Sequence, residues 1–108
     1  MSNDYLGEFE QMILLSIMRL GDDAYGLAIR RELESVAARR PSTGALYTTL
    51  DRLEKKGLVI SSEGESTQER GGRPRRYVAL TDEGHVALAR SRSRLLALWD
   101  GLEKALDR

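Results

Sequence analysis

Only two stretches of this chain are strand-prone, 58–62 and 75–80, and they follow one another in sequence. A lone two-stranded hairpin is marginal in water, so the core has to come from helices. Residues 8–20 provide the first. Phe9, Met12, Ile13, Ile17 and Leu20 recur at offsets of zero, three, four, eight and eleven, which places them on one side of a helix. Leu14, Leu15 and Met18 widen that surface until it nearly encircles the helix, so it has to be covered on most sides, by its own domain or by a second subunit. Gly21 supplies the stop.

Asp22 or Asp23 can cap a second helix over about 24–38, with Leu27, Ile29, Leu33 and Val36 as its buried residues. Pro41 and Ser42 then end one helix and start the next. The third, 43–56, carries Leu46, Leu50 and Leu53 on one stripe and closes at Gly57. The two strand-prone runs flank a polar, glycine-rich segment, EGESTQERGGRP, which reads as a hairpin with a long tip. Thr81, followed by Asp82 and Glu83, caps a last helix that the pattern carries to about Leu106. The expected fold is mainly α with a small β-hairpin: a winged helix-turn-helix over 1–80, continued by a long C-terminal dimerisation helix over 81–108.

Composition removes most other functions. The 108 residues include no cysteine, hence no disulfide, thiolate metal site or cysteine nucleophile, and the one histidine, His85, has no partner at a diagnostic spacing. No HExxH, GxSxG, Walker-type loop or dinucleotide fingerprint is present. The reading is a protein without catalytic activity, metal or cofactor. No apolar run approaches the ~20 residues of a membrane span, and the opening MSNDYLGEFE lacks the features of a signal peptide, so the expected location is the cytosol.

Charge is more informative in its distribution than in its sum, which is zero. Residues 1–38 hold three positive and seven negative side chains, residues 39–80 hold nine and five, and residues 81–108 hold five of each. A neutral chain can thus present one positive face. With Leu46, Leu50 and Leu53 facing the core, the third helix turns Gly44, Ala45, Thr48, Arg52 and Lys55 outward and leaves Tyr47 on the flank; Thr43, in its first turn, is a further candidate DNA contact. Small and hydroxyl-bearing residues at its N-terminal end allow close approach to base edges in a major groove, and its free N–H groups can meet a phosphate. In the hairpin, Arg70, Arg73, Arg75 and Arg76 fall within seven residues. Without acidic partners four such charges repel one another, and a polyanion beside them removes the repulsion. An arginine on the Gly72-Arg73-Pro74 path suits a narrow minor groove.

The last helix aligns Leu88, Leu95, Trp99, Leu102 and Leu106. This stripe suits a homodimer interface, which would set two recognition helices about 34 Å apart on a double-stranded, pseudo-palindromic operator. Trp99 could also stack on a flat aromatic ligand between subunits. The zero net charge and acidic N-terminal third leave a different reading open, a winged helix that serves as a protein-interaction module without a DNA target.

Three stretches resemble the PadR family of transcriptional regulators: LGEFEQMILLSIMRLGDDAYGLAIRREL (6–33), STGALYTTLDRLEKKGLV (42–59) and ERGGRPRRYVALTDEG (69–84). The pattern G-A-L-Y-x-x-L-x-R-L-E-x-x-G-L, then G-R-P-R-R-Y-x-x-L-T, is more than a generic winged helix requires. Val78 stands where many relatives carry a second aromatic. The resemblance implies a dimeric cytosolic repressor of palindromic promoter DNA, often relieved by a small inducer. It also implies that Gly44, Ala45, Tyr47 and Thr48 lie at the DNA surface with the wing arginines. With a single C-terminal helix, as in smaller family members, any inducer pocket has to be built at the dimer interface.

Overall fold

The computed structural model describes residues 5–66 and 74–107. Its elements are α1 (Glu8–Leu20), a 3₁₀ turn (Gly21–Asp23), α2 (Gly26–Ala37), α3 (Thr43–Lys55), β1 (Val59–Ser66), β2 (Pro74–Leu80) and α4 (Asp82–Trp99). This is the expected mainly helical architecture with one hairpin. Wing strands β1 and β2 pair antiparallel from Val59↔Leu80 to Glu63↔Arg76, and the register shifts before Ser66↔Pro74.

One core unites the helices. Ile13, Leu14 and Ile17 of α1, Ile29 and Leu33 of α2, Leu46, Leu50 and Leu53 of α3, Val59 and Val78 of the wing, and Ala87 and Leu88 of α4 all pack into it. Its edges are tied by polar contacts. Glu10 accepts the Gly7 N–H at 3.1 Å through one oxygen and the Lys56 ammonium at 2.9 Å through the other, joining the start of α1 to the end of α3. Ser42 caps α3 by accepting the Ala45 N–H at 3.0 Å. Thr81 caps α4 by accepting the Gly84 N–H at 3.0 Å, while its hydroxyl donates to the Gly57 carbonyl at 2.6 Å.

Four details depart from the sequence expectation. First, α2 starts at Gly26, not Ala24, and Asp22 and Asp23 lie in the 3₁₀ turn. The wing is the cause: Val78 donates its N–H to the Ala24 carbonyl at 2.9 Å and Tyr25 forms an isolated β-bridge with Tyr77, so 24–25 are extended rather than helical. Second, Leu27 and Val36 are exposed, not buried. Leu27 faces away from the Ile29–Leu33 stripe, and Val36 lies in the last turn, past the core. Third, α4 ends at Trp99 rather than near Leu106: Asp100 is extended, Gly101 has φ of +83°, and turns follow.

Fourth, Leu88 belongs to the chain's own core, so it is not free to serve a dimer interface as the stripe suggested. Ser91 is the last buried residue of α4. Beyond it the helix overhangs the domain, and Leu95, Leu96, Leu98 and Trp99 are exposed, as are Leu102 and Leu106 after it. Among the described residues no helix is long and apolar enough to cross a membrane, and no group of His, Cys, Asp or Glu side chains could hold a metal ion.

Candidate nucleic-acid interface

Leu46, Thr49, Leu50 and Leu53 fix the buried side of α3. The opposite side follows from helical geometry: Gly44, Ala45, Thr48, Arg52 and Lys55 are exposed on it, and Thr43 in the first turn and Tyr47 on the flank are exposed as well. Thr43 is held by the Arg30 guanidinium, which donates to its hydroxyl at 3.4 Å. Thr49 satisfies itself within the helix by donating to the Ala45 carbonyl at 2.8 Å. Thr48, Asp51, Arg52 and Lys55 surround a shallow depression on the outward face.

Gly44 is the most telling of these positions. Glycine weakens a helix by roughly 1 kcal/mol relative to alanine in the interior, less in the first turn. Yet a Cβ built at Gly44 meets no atom of the chain within 4 Å. Nothing inside the protein requires a missing side chain there, so the bare backbone is available for close approach from outside. Gly26 is the opposite case. A Cβ there would lie 2.8 Å from the Tyr47 Cζ and would collide with its hydroxyl. Tyr47 therefore leans from α3 across the first residue of α2, partly exposed and with its hydroxyl at that helix's N-terminal end.

The wing divides its arginines. Arg70 and Arg73 lie outside the described residues. Arg75 is half-buried, its guanidinium 4.0 Å above the Tyr25 ring and its Nη1 3.5 Å from the Tyr77 hydroxyl, while Tyr25 and Tyr77 meet edge to face at 5.7 Å. Arg76 corrects the expectation of arginines without acidic partners. Its Nη1 donates to Asp51 at 3.1 Å and its Nη2 to Glu54 at 2.9 Å, both on α3. Its Nε donates to the Ser61 hydroxyl at 3.0 Å, and that hydroxyl donates to Glu54 at 2.6 Å. The sequence carried a signal for this. Asp51 and Glu54 are three apart and share a helix face, and consecutive strand residues point to opposite sides.

The Ser61 hydroxyl first, and the Arg76 guanidinium second, hold the Glu54 carboxyl below its ordinary value of 4.5. A depressed carboxylate stabilises the folded form above its unfolded pKa and loses that contribution as pH falls through the folded one. The part of the tie that runs through Glu54 is thus complete at neutral pH and weakens only as pH falls below 4.5 towards the lower folded-state value. NMR titration of the Glu54 side chain should report a midpoint under that value, with the Ser61 amide shifting in parallel.

The model of the PadR-like family of transcriptional regulators matches residues 14–90. Among solved structures, the chain is similar to a PadR family transcriptional regulator from Eggerthella lenta DSM 2243, at TM-score 0.69 and 29% identity over 93% of this chain and 87% of that one. It is similar to a PadR-like transcription factor from Bacteroides fragilis, at TM-score 0.67 and 31% identity over 92% and 86%. It is also similar to hsRosR-S1, solved as a complex, at TM-score 0.70 and 35% identity over 87% and 76%. No curated protein matches the chain.

Proposed function

The chain belongs to the PadR-like family of transcriptional regulators, whose members are not enzymes, and from that premise we propose that it is a repressor that binds a double-stranded operator as a homodimer in the cytosol. The observation that carries this reading is the outward face of α3, which runs from small and hydroxyl-bearing residues at its start to two cations at its end. Thr43, Gly44, Ala45 and Thr48 enter the major groove, where bulk would hold the helix off and a threonine methyl or hydroxyl can meet a base edge. Arg52 and Lys55 follow the phosphates, and Tyr47 reaches the backbone beside the start of α2. The wing, with Arg70, Arg73 and Arg75, lies along the neighbouring minor groove or its phosphates.

Residues 1–80 form the DNA-reading unit, and 81–108 pair two copies through Leu95, Trp99, Leu102 and Leu106. Two-fold symmetry then sets the half-sites about 34 Å apart. Trp99, 42% exposed, offers a stacking face at that junction to a small aromatic inducer. Quenching of its fluorescence by planar aromatic compounds tests that role.

Selection from random duplexes by the purified protein should yield a symmetric consensus with half-sites one helical turn apart. Fluorescence anisotropy should show binding that weakens steeply with salt, and Arg52→Ala/Lys55→Ala, which removes two phosphate contacts from each subunit of the dimer, should reduce the slope of log K against log salt by about four. Changing Thr48 should instead alter the preferred sequence. An absence of salt-sensitive binding to any duplex would sink the reading and favour a protein-interaction module.

A further inference from the structure

Arg75 and Arg76 hold β2 from its two faces. Arg75 lies on the Tyr25 ring at the entry to α2, and Arg76 crosses to α3. We propose that Arg76 is a positioning residue that locks the wing to α3 and so fixes the distance between the base-reading face and the wing, without itself touching the duplex. The proposal rests on the DNA-reading function above.

Three observations carry it. All three nitrogens of the guanidinium are already engaged, with Ser61 of β1, Asp51 and Glu54. The Ser61–Glu54 hydrogen bond closes these contacts into a ring, so β1, β2 and α3 are joined in one network. Charge argues against a phosphate there. The groove between α3 and the wing is lined by Arg76 and Lys55 against Asp51, Glu54 and Glu63, a formal balance of −1. An arginine that gives one nitrogen to each of two carboxylates is anchored at two points by charge-assisted bonds, whereas a polyanion drawn to this spot would have to displace them.

The consequence is a distinction between kinds of binding. Non-specific association depends on phosphate charge and tolerates a loose wing. A specific complex needs helix and wing in adjacent grooves together, so a wing that swings loses affinity there first.

The test uses the full chain and anisotropy titrations over a salt series, with a duplex selected by the wild type and with a random duplex. Arg76→Gln should bind the selected duplex about tenfold more weakly. It should bind the random duplex within about twofold of wild type, with the salt slope unchanged on both. The charge exchange Glu54→Arg/Arg76→Glu, which leaves net charge unaltered, should recover most of the selected-site affinity. An equal loss on both duplexes with the slope smaller by about two, one contact from each subunit, would make Arg76 a phosphate contact and overturn the lock. Unchanged affinity on both would overturn it as well.

Hydrogen exchange on the free protein provides a readout that needs no DNA. Arg76→Gln should speed exchange in 59–66 and 74–80 while leaving α1 unchanged, and unaltered wing exchange would refute the lock. Failure of the wild type to bind either duplex would instead reject the DNA reading, and the exchange result would still decide whether Arg76 holds the wing.

Discussion

Gly84→Ala is expected to destabilise the protein by about 2–3 kcal/mol, a fall in Tm of about 10–20 °C for a domain of this size. Gly84 sits in the first turn of α4, where its N–H is capped by Thr81. A Cβ at that position would collide with the Leu58 carbonyl oxygen and stand 3.1 Å from the carbonyl carbon. The obstacle is backbone, and it is fixed: Leu58 donates its N–H to the Leu53 carbonyl and accepts from the Thr81 N–H. Relief requires α4 to shift away from the end of α3, which opens the core around Ala87 and Leu88. The better helix propensity of alanine, at most about 1 kcal/mol, does not offset this. Gly44→Ala is the control, since the same substitution in the first turn of α3 meets open space. It should leave stability unchanged or slightly raised, yet weaken duplex binding by holding the helix off the groove. Thermal denaturation and anisotropy on the two variants separate a glycine needed by the fold from one needed at the surface.

Leu95→Asp/Trp99→Asp should convert a dimer to monomers and lower operator affinity about a hundredfold or more. Both residues lie on the overhang of α4, beyond Ser91, and neither belongs to the core. The fold of a single copy should therefore be little affected, as for most surface substitutions, within about 0.5 kcal/mol. What is lost is the second half-site. Once one recognition helix is bound, a linked partner binds at an effective concentration in the millimolar range, and separate monomers do not have that advantage. Sedimentation of the wild type as a dimer and of the variant at half the mass is the expected pair of results. Identical sedimentation with unchanged affinity would remove α4 as the pairing element.

The architecture was legible in the sequence wherever the determinants are local. Ser42 before α3, Gly57 after it and Thr81 before α4 act within one turn of themselves, and those boundaries fall where the residues place them. The buried stripe of α3 is equally local, so its outward residues followed by elimination. Legibility stopped where a distant segment decides. Ala24 and Tyr25 were drawn out of the helix into extended backbone by Val78 and Tyr77, more than fifty positions away. Apolar periodicity continues through Leu102 and Leu106, yet the helix stops at Asp100, because periodicity records which side is oily and not where support ends. Arg76 looked like its neighbours in a basic run, and only folding brought Asp51 and Glu54 to it. In the candidate interface, the α3 residues were therefore readable in advance, while the division of labour among the wing arginines was not.

The unsupported outer turns of α4 link shape to abundance. An exposed helix end is marginal in water by itself, so in a lone copy residues 92–99 would fray, and the pairing proposed above would rewind them. Folding of that tip and assembly then become one equilibrium that scales with the square of protein level. With the proposed pairing, operator binding would therefore rise more steeply with protein concentration than it would for a preformed dimer.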